Sequence, residues 1–251
     1  MRSWPFDRRL PPDPTRWALF LDFDGTLVDI AATPGAVDVP PELPEILERA
    51  HRALGGALAI VSGRRIVDLD AFLFPFRATF LGEHGVDCRL ADGTRLAQSP
   101  LPALPTAWQA RFAALAERHE GVLVEAKSHG VTVHFRLAPD AEKDVLRLME
   151  AMVAERPVEY TLLSARMAYE LRPRGTDKGT AVARMLDMAP FAGRAPIYVG
   201  DDDTDRDAFP VVEGRDGGAA LWVPDDFDGR PAMVREWIAT IPGRVSSVID
   251  A

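Results

Sequence analysis

The 251-residue chain contains a single cysteine, Cys88, so it can form neither an internal disulfide nor a cysteine-based structural zinc site. Its chemistry must use oxygen, nitrogen or a hard metal, and Cys88 itself reads as a buried core thiol. Any block of Lys and Arg is also missing: 29 cations face 38 anions, a formal net charge of −9. Nucleic-acid affinity comes mostly from clustered cations, so the balance argues against a phosphate-backbone binder but does not exclude a small anionic substrate. No run approaches the roughly 20 apolar residues of a membrane span. The longest early one, Trp17 to Leu21, is ended by Asp22. Arg8-Arg9 resembles a twin-arginine start, but Leu10-Pro11-Pro12-Asp13-Pro14 stands where an export signal needs apolar residues. The expectation is a soluble, cytoplasmic monomer with no nucleic-acid or membrane partner. Internal repeats and low-complexity tracts are absent as well.

What is present is ordinary for a globular protein: 47% hydrophobic, 27% charged and 8% aromatic residues, with length enough for one large domain or two modest ones. Ala18-Leu19-Phe20-Leu21 is a short, fully apolar run, suited to a strand buried on both faces of a parallel sheet. Pro40-Pro41 opens a helix with Leu43, Ile46, Leu47, Ala50 and Leu54 on one stripe, and Gly55-Gly56 stops it. A second buried strand, Ala57 to Val61, precedes a helical pattern from Ile66 to Leu73 and an apolar stretch from Thr79 to Leu81. This alternation predicts an open parallel α/β sheet.

The pattern then changes. Val86 to Leu90 and Thr94 to Leu96 flank Ala91-Asp92-Gly93 as a hairpin, and Gln98 to Pro105, with three prolines, is the best linker in the chain. A helix over 106–119, strands near 122–127 and 131–137, a helix after Pro139, and strands over 158–163 and 167–172 make an α+β unit. From Asp177 the first rhythm resumes, through Ile197-Tyr198-Val199 and an apolar run from Ala219 to Val223, to a last helix from Arg230 to Ala239. The expected architecture is an α/β parallel-sheet core, residues 1–104 and 175–251, interrupted by an inserted α+β domain, residues 105–174.

Chemistry-bearing residues gather at strand ends, where open α/β sheets bind ligands. Asp22-Phe23-Asp24-Gly25-Thr26 offers two carboxylates of different aim and a glycine N–H for an anion; the plainer reading is an Asp-Gly turn with a helix cap. Gly200-Asp201-Asp202-Asp203-Thr204-Asp205 puts four carboxylates in five positions, which repel unless solvated or neutralised, and all-oxygen ligation of this kind suits Mg²⁺. Its plainer reading is a solvated loop capping the next helix. One metal bridging the two acidic strand ends explains both together. Ser62-Gly63-Arg64 forms either a phosphate cradle or an N-cap for the helix at Ile66. Lys178 stands at a helix start, where a cation is mildly disfavoured, so it suggests an anionic partner unless it is simply solvated.

In type and order these features resemble the four motifs of the haloacid-dehalogenase-like superfamily of phosphohydrolases, over essentially the whole chain after about Ala18. Within it, the Gly200-Asp201-Asp202-x-Thr204-Asp205 segment, Gly82-Glu83-His84-Gly85, Val124-Glu125-x-Lys127, His134-x-Arg136 and Glu170-Leu171-Arg172-Pro173 look like trehalose-6-phosphate phosphatases. Asp203 in place of an apolar residue, and Gly130 interrupting the second cap segment, depart from that pattern. The resemblance implies a Rossmann-like core with an α+β cap, Mg²⁺ as cofactor, and hydrolysis of trehalose 6-phosphate through an aspartyl-phosphate. It makes Asp22 the nucleophile and Asp24 the general acid, then base. Ser62 and Lys178 neutralise phosphoryl charge, with Gly25, Thr26 and Gly63 against the substrate. Asp22, the Asp24 carbonyl and Asp201 hold the metal, with Asp202 and Asp205 in support. Glu83, Arg89, Glu125, Lys127, His134 and Glu170 are the implied glycan contacts.

The cap residues carry the choice of sugar. Alternation over Val131 to Leu137 puts Thr132, His134 and Arg136 on one face; Glu125 and Lys127 share a face, as do Ala168, Glu170 and Arg172. Such a mixed face is either solvated or reads a sugar. Phosphatases of sucrose 6-phosphate, a mannosyl phosphoglycerate or a hexose phosphate share the core motifs. A non-catalytic sugar-phosphate sensor is the reading from another class, against which intact Asp22, Asp24, Lys178 and Asp201 argue.

Overall fold

The computed structural model describes residues 4–96, 100–165 and 167–249. Gln98 and Ser99 of the expected linker lie outside the described residues. The first stretch holds β1 (Trp17–Leu21), α1 (Leu43–Ala53), β2 (Leu58–Val61), α2 (Ile66–Leu73), β3 (Thr79–Gly82) and β4 (Asp87–Arg89). Next come α3 (Thr106–Arg118), β5 (Leu123–Ala126), β6 (Val131–His134), α4 (Glu142–Glu155), β7 (Tyr160–Ala165) and β8 (Ala168–Pro173). The last stretch is α5 (Lys178–Leu186), β9 (Ala195–Gly200), α6 (Phe209–Glu213), β10 (Ala219–Trp222), α7 (Val223–Asp226) and α8 (Pro231–Ile249).

Of the described residues, 4–31, 37–96 and 177–249 form one compact unit, and 32–36 with 100–176 a second. The second unit therefore takes in residues 100–104 and 175–176, which the sequence reading assigns to the core. The cause is local: Leu104 packs on the second unit's apolar cluster, and the Pro102 carbonyl lies 3.0 Å from His129 Nδ1.

In the first unit the sheet order is β10-β9-β1-β2-β3-β4, parallel except for β4, which runs antiparallel to β3. Alternate side chains of β1 divide between two cores. Trp17, Leu19 and Leu21 join α1 and α8 residues on one face, whereas Ala18 and Phe20 join Val182 and Met185 of α5 on the other. Burial on both faces is why the strand is apolar without interruption. Trp4, Phe6 and Leu10 of the Pro-rich start pack into the first core beside Phe227 and Trp237. The last helix continues beyond the expected end at Ala239, through Pro242, because Ile241 and Val245 are buried in that core. Packing outweighs the local breaker signal. No described helix is long and apolar enough to cross a membrane.

The second unit is a four-stranded antiparallel sheet, β5-β6-β8-β7, with α3 and α4 contributing Trp108, Phe112, Leu115, Val145, Met149 and Met152 to its cluster. Strand β6 ends at His134, earlier than expected, so Arg136 sits in the following turn rather than on the strand face. The unexpected Gly130 has a steric reason: a Cβ there would lie 2.3 Å from the Leu171 carbonyl oxygen of β8.

Candidate active site

Register brings the motifs to one sheet edge. Leu21 pairs with Ile60 of β2 and with Val199 of β9, so Asp22, Ser62 and Asp201 follow at the carboxyl ends of three adjacent strands. The Asp22 N–H donates to the Val199 carbonyl at 2.9 Å, holding the first carboxylate beside the second acidic segment.

At this edge one buried lysine faces three carboxylates. Lys178 Nζ donates to Asp22 Oδ1 at 2.7 Å and to Asp205 Oδ1 at 2.6 Å. It reaches them from the first turn of α5, whose N-cap is Asp177 in a capping box with Thr180. The anionic partners suggested by a lysine at a helix start are thus these two aspartates. Burial opposes the Lys178 charge, but Asp205 and Asp22 outweigh it and hold the ammonium above its ordinary range. Asp22 is pushed well up, chiefly by burial and next by Asp205, against the pull of Lys178. Asp201 is raised to about 7 by burial and by Asp205.

Asp205 is fully satisfied. Its Oδ1 accepts from Lys178 and from the Tyr198 hydroxyl (2.6 Å), its Oδ2 from the N–H groups of Asp201 and Asp202 (both 3.0 Å). Four donors leave it to orient Lys178 and the acidic turn rather than to bind an ion. Asp202 caps that turn, accepting from Asp203 N–H at 2.7 Å. Thr26 Oγ1 donates to Asp201 Oδ1 at 3.1 Å, so this hydroxyl orients that carboxylate. Ligand atoms of Asp22, Asp201 and Asp205 lie within 4.8 Å of one another. With Asp205 committed elsewhere, Asp22 and Asp201 are an oxygen pair whose excess negative charge fits a hard divalent cation. Gly25 is what lets Asp201 approach: its φ is +77°, and a Cβ there would lie 2.0 Å from Asp201 Oδ2.

Ser62 is not the cap of α2. That helix begins after Arg65 with no side-chain cap, and Ser62 Oγ instead accepts from the Arg64 N–H at 3.2 Å. Gly63 lies under the His84 ring, close enough that a Cβ would meet Nε2 at 2.6 Å. Glu83 and His84 are both left-handed, at φ 50° and 55°, and their N–H groups donate to the carbonyls of Arg64 and Ser62, at 2.9 Å each. Backbone strain of this kind persists where a site over-determines it.

Other residues fall differently. Asp24 is held by Arg64, with Nε on Oδ2 at 2.6 Å and Nη2 on Oδ1 at 2.7 Å. Arg89 is not brought to this edge: it pairs with Phe80 in register, toward the amino end of β3, and its guanidinium engages Asp70 (2.7 Å) and lies 5.0 Å from the Phe80 ring centre. Sequence reasoning missed two partners, Arg64 and Tyr198. Arg64 stood in a singled-out motif, whereas no local signal marks Tyr198.

In the second unit Glu125, Thr132 and Glu170 stand in one row across the sheet, and Thr132 Oγ1 donates to Glu170 Oε2 at 3.1 Å. Lys127 donates to Glu125, and His134 Nε2 lies 2.9 Å from Glu125 Oε2. Burial alone would raise the Glu125 carboxyl, but the His134 hydrogen bond and Lys127 charge outweigh it and bring it down to about 2 from an ordinary 4.5. A carboxyl lowered by folding stabilises the fold above its unfolded pKa and loses that contribution as pH falls through the folded value. Urea unfolding should therefore show a loss of about 2 kcal/mol between pH 5 and 2.5 that is absent in Glu125→Gln. Identical acid sensitivity in both proteins would refute the assignment.

A parallel sheet with an inserted α+β unit, and a lysine among aspartates at the sheet's carboxyl edge, define a haloacid-dehalogenase-like hydrolase. The fold of a Bacteroides thetaiotaomicron haloacid dehalogenase-like hydrolase matches with a TM-score of 0.57 at 13% identity, over 90% of this chain and 99% of that one. The Candida albicans trehalose-6-phosphate phosphatase C-terminal domain matches with a TM-score of 0.73 at 19% identity, over 91% and 93%.

The chain belongs to the trehalose-phosphatase family, whose model matches residues 20–228. It is 39% identical to a Sinorhizobium fredii protein named "Probable trehalose-phosphate phosphatase", over 93% of this chain and 85% of that one. It is 35% identical to the Escherichia coli "Trehalose-6-phosphate phosphatase", over 90% and 83%.

Proposed function

We propose that the chain is a Mg²⁺-dependent phosphomonoesterase that converts trehalose 6-phosphate to trehalose and phosphate. The observation that carries this reading is the buried Asp22–Lys178–Asp205 cluster, with Asp201 beside it, at the carboxyl edge of the sheet. Lys178 donates to Asp22 Oδ1 and so fixes the carboxylate that attacks phosphorus. The bond from phosphorus to the sugar oxygen breaks, that oxygen takes a proton from Asp24, and Asp22 carries the phosphoryl group. Asp24, now a carboxylate, takes a proton from water as the water oxygen attacks phosphorus; phosphate leaves and Asp22 is regenerated. Lys178 and the Ser62 hydroxyl neutralise charge on the equatorial phosphoryl oxygens, while Asp205 and Tyr198 keep Lys178 aimed. Mg²⁺ held by Asp22, Asp201 and the backbone carbonyl of Asp24 would supply further charge neutralisation there. Sugar recognition is assigned to Glu83, Glu125, Lys127, His134 and Glu170, without Arg89.

The test is phosphate release with Mg²⁺ from trehalose 6-phosphate, sucrose 6-phosphate and glucose 6-phosphate. The first should lead clearly. Equal rates on all three would leave a broad sugar phosphatase, and no release from any would favour a sensor. Glu125→Ala and Glu170→Ala should each narrow the preference for trehalose 6-phosphate over glucose 6-phosphate by about tenfold or more, because sites that hydrogen-bond hydroxyls discriminate through those bonds.

A further inference from the structure

One residue, Phe23, separates Asp22 from Asp24, yet their carboxylates have different company. The close acidic group is Asp22, Asp201 and Asp205; Asp24 is not in it. Both Asp24 oxygens instead accept from one guanidinium, that of Arg64, reached across the gap between the ends of β1 and β2. In that arrangement the guanidinium takes both oxygens, so the pair must open before an Asp24 oxygen can face a leaving group. Burial says which partner moves. The Arg64 side chain is 12% exposed and that of Asp24 34%. The guanidinium carbon also lies 5.0 Å from the Phe72 ring centre and 5.6 Å from that of Phe23, rings themselves stacked 5.9 Å apart. Stacking and the fork geometry fix Arg64 in a way that lysine would not reproduce.

We propose that Arg64 is the positioning residue of the acid–base step. It holds the Asp24 carboxylate on the β2 side, away from the acidic cluster, and gives up one oxygen when the substrate arrives; that oxygen takes a proton from water, passes it to the sugar oxygen and regains one from the attacking water, while the other oxygen stays on Arg64. The inference rests on Asp24 being the acid proposed above, and leaving-group chemistry separates the two. A sugar alkoxide needs a proton to depart; p-nitrophenolate does not. The ratio kcat/KM covers binding through leaving-group departure, so the later water step does not enter it.

Arg64→Gln is expected to lower kcat/KM for trehalose 6-phosphate by about 10- to 100-fold, while kcat/KM for p-nitrophenyl phosphate changes by less than about threefold. Arg64→Lys should recover only part of the loss. The double variant Asp24→Asn/Arg64→Gln should be no slower on trehalose 6-phosphate than Asp24→Asn alone, since Arg64 acts through Asp24. Equal losses on both substrates, or losses that multiply in the double variant, overturn the inference. If Asp24→Asn itself shows no leaving-group preference, the acid assignment fails and takes the inference with it.

Discussion

Asp22→Asn is expected to abolish turnover, by about 10⁴-fold or more in phosphate release, with the fold retained. The amide keeps the shape of the carboxyl but supplies no anionic oxygen to attack phosphorus, and no other described group stands in its place. Stability should move little, because the environment already disfavours charge at this position. Burial and Asp205 push the Asp22 carboxyl well up, and Lys178 keeps Asp205 when Asp22 becomes neutral. A thermal melt within a few degrees of the parent, together with loss of phosphate release, is the expected pair of results. Activity within tenfold of the parent would remove Asp22 as nucleophile.

Lys178→Met should give the largest loss of stability, about 3–5 kcal/mol at neutral pH in the presence of a chelator, because it leaves carboxylates buried without their cation. Activity should fall as well, since the equatorial phosphoryl oxygens lose a charge partner. The pH dependence follows from the direction of the shifts. Asp22 and Asp201 already lie above the ordinary aspartate value, and removing Lys178 raises them further. A carboxyl raised by folding stabilises the fold at low pH and loses that contribution as pH rises through its folded pKa. The gap between variant and parent should therefore narrow as pH is lowered from 7 toward 5, and divalent cation added at pH 7 should restore part of it. A gap independent of pH and cation would mean that Lys178 contributes packing rather than charge.

Much of the site was legible because its residues follow strands that identify themselves. The run ending at Leu21 is buried on both faces, so its composition announces a central parallel strand, and the acids after it fall where such sheets bind ligands. The same logic applies to Ser62 after β2 and Asp201 after β9. Lys178 was legible for a different reason, as a cation placed against the polarity of a helix start. Legibility failed where a side chain had two uses. Nothing in the sequence pairs Arg89 with Asp70, or the Thr26 hydroxyl with Asp201. Arg136 was placed on a strand face by alternation, yet the strand stops at His134, and a turn does not keep the period of two. Helix α8 passes its expected end because burial of Ile241 and Val245 outweighs a proline.

By itself the sequence determined the strand and helix types, the interruption of one rhythm by another, and the residue types available at each strand end. These are local properties, written in periodicities of two and 3.6 and in turn chemistry. Only the tertiary structure decided which groups share a charge. Lys178 meets Asp22 across 156 residues, Thr26 meets Asp201 across 175, and Arg64 meets Asp24 across 40. Those meetings follow from the order β10-β9-β1-β2 and its register. That order is set by which apolar faces bury one another, and burial in turn makes each shared charge strong enough to matter.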